Sequence, residues 1–250
     1  MKKLRGIIFD KDGTLIDYYS VWGPVFRHNI TSILQQLGRS GDAELEQEML
    51  KLLGITDSGV YPKGLVFSTN SSLMLIRMWF FAKKWKLSFR GLLGAFKQAF
   101  YGSRDMLAQS LTHAKSTGDL HRLFRELKGR GYKIGLVTGD TAESTKLCLE
   151  QLGIIENFDF ISTHDDQFKN KPDPQTMLLF CRQFLMSPRE VAVVGDSAVD
   201  FLYAKKGMAG YSAAVLTGSN DVKKLSRMAK AVYPDLNGLF DDPVIFPKQQ

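Results

Sequence analysis

Ile7-Ile8-Phe9-Asp10-Lys11-Asp12-Gly13-Thr14-Leu15 is the stretch on which the fold turns: an apolar run, two carboxylates spaced two apart, a glycine and a threonine. An apolar run closed by a turn signal reads as a buried parallel strand. Its end carries Asp10 and Asp12 to the edge of an open sheet, where α/β folds place ligands. In an extended chain, residues i and i+2 point the same way, so the two like charges share one spot. That is costly unless a proton or a cation separates them. A hard divalent ion such as Mg2+ takes oxygen ligands of this kind. A strand capped by an Asp-Gly turn is the plainer reading of the same residues.

The rest of the chain alternates in two styles. Strand one spans about residues 4–9. After Asp17 the pattern turns helical: Val21, Val25 and Phe26, Ile30, Ile33 and Leu34, and Leu37 recur at helical spacing, with Gly38 as a stop. A second helix is expected from Asp42 to Leu53, ended by Gly54. Residues 54–70 mix Gly, Pro, Ser and Thr and read as a loop. Two further stripes follow, Met74, Met78, Phe81 and Trp85, then Phe89, Leu93, Phe96 and Phe100, each at helical spacing. From about Gly118 helix and strand alternate. Helices are expected near 119–128, 141–152, 174–184, 198–206 and 220–229, and strands near 133–137, 158–162, 190–194, 213–216 and 231–232. Such alternation implies a parallel sheet with right-handed crossovers, to which strand one belongs.

Bulk properties narrow the class. A chain of 250 residues has room for one large or two small domains. Hydrophobic content of 44% and charged content of 24% are those of a soluble globular protein. The two cysteines, Cys148 and Cys181, lack zinc spacing and suit a reducing, cytoplasmic setting. No signal-peptide pattern is evident at the start, and no apolar run reaches transmembrane length. The net charge of +7 favours anionic ligands or surfaces. Much of it is concentrated: between Asp57 and Asp105 there is no acidic residue, while Lys63, Arg77, Lys83, Lys84, Lys86, Arg90, Lys97 and Arg104 lie within that span. Aromatic residues are interleaved with them, among them Trp79, Phe81, Trp85 and Phe89. A solvated helix face is the plain reading of this basic stretch. Steering of an anionic substrate is preferred to peripheral membrane contact as its functional reading. No nucleic-acid-binding module accompanies the charge.

Three more stretches complete the pattern begun at Asp10: Leu136-Val137-Thr138-Gly139-Asp140, Lys171-Pro172-Asp173-Pro174, and Val193-Val194-Gly195-Asp196-Ser197-Ala198-Val199-Asp200. In this order they resemble the motifs of the haloacid dehalogenase superfamily of phosphohydrolases, over the first sixteen residues and roughly residues 115–220. The resemblance implies an α/β, Rossmann-like parallel-sheet core made of residues 1–16 and 115–250, with an inserted all-helical cap over residues 17–114. It is similar in layout to the phosphoglycolate phosphatase group.

By that resemblance Asp10 is the nucleophile and Asp12 the general acid/base. Thr138 and Gly139 hold phosphate oxygens, and Lys171 neutralises the nucleophile and the phosphate, Lys169 being its nearby rival. Mg2+ is the implied cofactor, held by Asp10, the Asp12 carbonyl and Asp196, with Asp200 and Ser197 in support. Relatives often carry Asn where this chain has Asp140, and a carboxylate near a phosphate repels it. Asp140 is therefore expected only to cap the helix that follows. Lys11 is expected to point away from the site, as a solvated or loop-supporting lysine. The four histidines show no ligand spacing.

The implied activity is a magnesium-dependent phosphatase acting on a small phosphorylated metabolite, as a monomer or dimer in the cytoplasm. A phosphomutase shares the same core. A dehalogenase is disfavoured because Asp12 is present. A protein of another class, binding a membrane or partner through its basic cap on an inactive scaffold, is disfavoured by the intact set Asp10, Asp12, Lys171 and Asp196.

Overall fold

A computed structural model describes residues 3–56, 59–60, 64–65, 71–218 and 221–248. In chain order the first elements are β1 (Gly6–Phe9), α1 (Tyr18–Gln36), α2 (Ala43–Leu53), β2 (Ile55–Thr56), β3 (Gly59–Val60), α3 (Ser71–Lys84), α4 (Phe89–Tyr101) and α5 (Arg104–Leu111). There follow α6 (Leu120–Gly129), β4 (Lys133–Val137), α7 (Ala142–Gln151), β5 (Phe160–Ser162), α8 (Gln175–Gln183), β6 (Val191–Gly195), α9 (Ala198–Lys206), β7 (Tyr211–Val215), α10 (Val222–Leu225) and β8 (Ala231–Tyr233). The chain divides into two compact units, one of Met1–Tyr18 and Ala114–Gln250, the other of Tyr19–His113.

The first unit is built on a six-stranded sheet in the order β5-β4-β1-β6-β7-β8. Every pairing in it is parallel. β1 lies between β4 and β6, with Phe9 level with Leu136 on one side and Val194 on the other. The chain leaves β1 toward β4 and β5, then returns to build β6, β7 and β8 on the opposite side. The strand order therefore reverses at β1, where open α/β sheets form a crevice at the carboxyl ends of their strands.

Both faces of β1 are covered, which is why its four residues are all buried and show no polar alternation. Phe9 meets Phe124 of α6 edge-on, with ring centroids 5.8 Å apart. Ile8 packs on the other face in a cluster with Phe180 and Tyr203. Gly6 makes room there, since a Cβ on it would come within 2.7 Å of the Phe180 ring.

The second unit is helical apart from the short β2–β3 hairpin. Its core is formed by Val25, Ile30, Ile33, Leu45, Met49 and Leu92, among others. Asp42 caps α2 by accepting from the Leu45 amide, and Gly54 ends that helix with φ 110°, which glycine adopts without strain. Among the described residues no helix is long and apolar enough to cross a membrane.

Three expectations are corrected. Residues 54–70 are not all loop, because Ile55–Thr56 pair antiparallel with Gly59–Val60; residues 57–58, 61–63 and 66–70 of that stretch lie outside the described residues. The helix expected over 220–229 is a single turn, α10. On α4 the buried row is Leu92, Ala95 and Ala99, not the aromatic stripe. Phe100 is exposed and stacks on Phe96 with an interplanar angle of 9°. Small side chains fill much of the buried row of α4, and Phe100 meets the buried Phe26 of α1 from its edge of the helix, with ring centroids 5.8 Å apart.

Candidate active site

Three neighbouring strands end at one edge and deliver the polar residues. Asp10 follows β1, Thr138 follows β4 and Asp196 follows β6. The register is locked where it matters: the Asp10 amide donates to the Val194 carbonyl at 3.0 Å, and the Thr138 amide to the Ser162 carbonyl at 3.0 Å.

Lys171 lies between two carboxylates. Its Nζ is 2.6 Å from Asp10 Oδ1 and 2.6 Å from Asp200 Oδ1. Burial alone would lower the Lys171 pKa, but Asp10 and Asp200 outweigh it and hold the ammonium charged. Asp10 is pushed up to about 6, first by burial, with Lys171 opposing and Asp200 reinforcing the rise. The Asp200 side chain is fixed from the other side. Its Oδ2 accepts from the Ser197 amide at 3.1 Å and the Ser197 hydroxyl at 2.7 Å. The rival Lys169 is exposed and pairs with Asp173, at 4.0 Å.

Asp10, Asp196 and Asp200 each offer an oxygen within 4.8 Å of the others. Asp196 is buried in a cradle of glycine backbone. A Cβ on Gly218 would lie 2.0 Å from its Oδ2, and one on Gly13 2.9 Å. Gly13 also has φ 80°, a second reason for glycine there. Thr217 ties the two loops, its hydroxyl donating to the Gly13 carbonyl at 2.6 Å. A set made only of hard oxygen donors, crowded closely enough to need a positive charge, fits Mg2+.

Thr138 is buried and its hydroxyl accepts from the Asp140 amide at 3.2 Å. Gly139 is exposed, with open space where a Cβ would stand. Asp12 turns its Oδ1 to Lys11 Nζ at 2.8 Å, leaving the Asp10–Lys171–Asp200 row to the other carboxylates.

One expectation fails here, and another is met in one of its two forms: Lys11 supports a loop and is not solvated. Lys11 is fully buried, and its Nζ lies 2.9 Å from Asp140 Oδ2 as well as against Asp12. Loop closure around both carboxylates, not solvent, decides its place. Asp140 does not cap α7; Thr141 does, accepting from the Ser144 amide. Asp140 Oδ1 accepts from the Thr141 amide at 2.8 Å, and its Oδ2 from the Ser144 hydroxyl at 2.7 Å.

Sequence reasoning missed Gly218 and Tyr18. A glycine in the loop that follows an apolar strand was a usable signal for the first. Tyr18 had none: its phenol is pushed well above its usual pKa by burial and by the charges of Asp12 and Asp196. Cys148 and Cys181 are buried free thiols, as packing residues are.

Comparison with known proteins bears on this geometry. A family model described as haloacid dehalogenase-like hydrolase matches residues 4–207. A chain of Clostridium perfringens provisionally named pyrophosphatase PpaX is 25% identical over 202 residues, 81% of this chain and 79% of that one. A phosphoglycolate phosphatase of Nitrosococcus oceani is 34% identical over 79 residues, 32% of this chain and 35% of that one. Among solved structures, a predicted phosphoglycolate phosphatase from Haemophilus somnus superposes with a TM-score of 0.68 at 18% identity, covering 97% of this chain and 99% of that one. Identity that low shows a shared fold alone.

Proposed function

Because the chain belongs to the haloacid dehalogenase-like hydrolases, we propose that it is a phosphatase acting on a small phosphorylated metabolite through an aspartyl-phosphate on Asp10. The observation that carries this reading is Lys171, held 2.6 Å from Asp10 where β1 ends in the crevice. An ammonium there can neutralise the attacking carboxylate and an incoming phosphoryl group together. In the proposed first half-reaction an Asp10 oxygen bonds to phosphorus, the ester P–O bond breaks, and Asp12 gives its proton to the leaving oxygen. In the second, Asp12 takes a proton from water, the water oxygen bonds to phosphorus, and the bond to Asp10 breaks. Inorganic phosphate and free Asp10 are the products. Thr138 and Gly139 would hold the phosphoryl oxygens throughout.

Asp10, Asp196 and the Asp12 carbonyl would hold Mg2+, with Asp200 and Ser197 fixing Lys171 beside it. When bound, the ion supplies positive charge to the phosphoryl oxygens. The helical unit would act as the cap that selects the leaving group. Two buried thiols that remain unpaired fit a cytoplasmic setting.

Relatives that span most of both chains bear a pyrophosphatase name, so pyrophosphate belongs beside phosphoglycolate in any substrate panel. Solved neighbours titled as β-phosphoglucomutases share 18% identity and so show the fold alone, which gives phosphomutase chemistry no separate support. The test is hydrolysis of 4-nitrophenyl phosphate and of this panel, with Mg2+ and with excess chelator. Turnover that requires the metal is expected. Full activity in chelator, or none with Mg2+ on any substrate, would sink the reading.

A further inference from the structure

A buried ammonium joins the loop after β1 to the loop after β4. Lys11 Nζ donates to Asp12 Oδ1 at 2.8 Å and pairs with Asp140 Oδ2 at 2.9 Å, with no part of Lys11 exposed. Asp140 does not drift, because the Thr141 amide and the Ser144 hydroxyl each take one of its oxygens. The result is a rigid line from the start of α7, through Asp140 and Lys11, to Asp12.

Stability does not explain such an arrangement. Burying an ion pair carries a large desolvation cost for each ion, and apolar replacements of similar volume are often neutral or better. An apolar side chain between Asp10 and Asp12 would satisfy the strand and its turn equally well. What it could not do is fix a carboxylate. With Oδ1 anchored by Lys11, the Asp12 carboxyl group has one orientation, and so has its second oxygen. Proton transfer to a leaving oxygen depends on that direction, and small misplacements are expensive.

We propose that Lys11, braced by Asp140, is a positioning residue for Asp12: it sets the direction in which Asp12 delivers its proton. The assignment rests on the reading of Asp12 as general acid given above. It also accounts for Asp140 at a position where an asparagine would leave Lys11 with a single counter-charge.

Leaving-group dependence tests it. Phenyl phosphate and 4-nitrophenyl phosphate have nearly the same shape, but the phenoxide leaves poorly and needs the proton. A general acid contributes about 10²–10⁴-fold where its proton is needed. The double variant Lys11→Met/Asp140→Asn removes both charges while nearly conserving volume, and its melting temperature, measured first, shows whether it folds with Asp12 left without its ammonium. In it, kcat/KM for phenyl phosphate is expected to fall about tenfold or more relative to that for 4-nitrophenyl phosphate. Asp12→Asn, measured alongside, gives the full size of the effect. An unchanged ratio in a folded double variant overturns the assignment and leaves the phosphatase reading intact. Wild-type protein that turns over neither ester with Mg2+ removes the phosphatase reading, and the assignment with it. If the double variant does not fold, Asp140→Asn alone decides: a ratio lowered severalfold supports the brace, and an unchanged ratio rejects it.

Discussion

Asp10 and Lys171 have opposite dependences on charge. Asp10 is held at about 6 by burial, so its ionised form is uncomfortable before any ligand arrives. Asp10→Asn therefore removes the proposed nucleophile at little cost to the fold. Loss of a covalent nucleophile costs roughly 10⁶-fold in rate where it has been measured in isolation, and a loss of several orders of magnitude is expected here with an unchanged melting temperature. Lys171→Met should be equally inactive but also unstable. It strands Asp10 and Asp200, each 2.6 Å from the lost ammonium, beside one another. Breaking a buried pair in this way costs about 3–5 kcal/mol. Kinetics and chemical denaturation of the two variants check the contrast, and equal stabilities would count against a tightly coupled row.

At the scale of elements, the far edge of the sheet is fastened by one buried carboxylate. Asp242 Oδ2 accepts from Tyr211 of β7 at 2.8 Å and from Tyr233 of β8 at 2.9 Å, while Oδ1 accepts from the Val244 and Ile245 amides. The short edge strand β8 is thereby tied to the C-terminal segment. Burial and then Asp242 push the Tyr233 phenol up to about 12. A free tyrosine ionises near pH 10. The folded state thus holds this proton more tightly, so the contribution to stability is complete below about pH 10 and is lost as pH rises toward 12. Melting temperature should fall over that window, and the fall should be shallower in Tyr233→Phe. An identical alkaline decline in both proteins would remove Tyr233 as its source.

Element boundaries were legible where local chemistry sets them. Lys133–Val137 is a strand as read, and Asp42, Gly54, Asp119 and Thr141 sit at helix ends because caps act within a turn. The pairing of Lys171 with Asp10, 161 residues apart, followed from motif order and not from any local signal. For Lys11 the sequence left two readings open. A lysine between two carboxylates reads as solvated or as loop-supporting until the β4 loop brings Asp140 to its far side. The inner side of α3 was legible from a local signal: of the stripe Met74, Met78, Phe81 and Trp85, Met78 and Phe81 are buried, while Ile76 and Phe80 off the stripe are exposed.

For the molecule as a whole, the concentration of positive charge in the helical unit is the feature from which a kinetic effect is expected. Lys84 is already compensated by Glu48, 2.7 Å away. Lys83, Lys86 and Arg90 are exposed, so their charge reaches solvent. Changing these three to glutamine should raise KM for an anionic substrate a few fold at low salt, with kcat unchanged, and the difference should shrink once the Debye length falls to about 8 Å near 0.15 M. Steady-state kinetics at two ionic strengths checks this. A KM unaltered at low salt would exclude steering, and co-sedimentation with anionic vesicles run beside it would register any attraction to lipid instead.

The place of β1 in the sheet also governs the order in which the molecule can come into being. Its four residues pair with residues 133–136 on one side and 191–194 on the other, so the first strand made is finished only when synthesis has entered the last quarter of the chain. At about 5–20 residues per second of synthesis, that strand waits on the order of ten seconds on the ribosome without its partners. The helical unit, contained within Tyr19–His113, has no such debt to later sequence. Closing loops of this length before any long-range contact rewards them is the slow part of building a parallel sheet. Asp10, Lys171 and their acidic neighbours therefore meet together and late, and no partial chain ending before Asp200 has the row assembled.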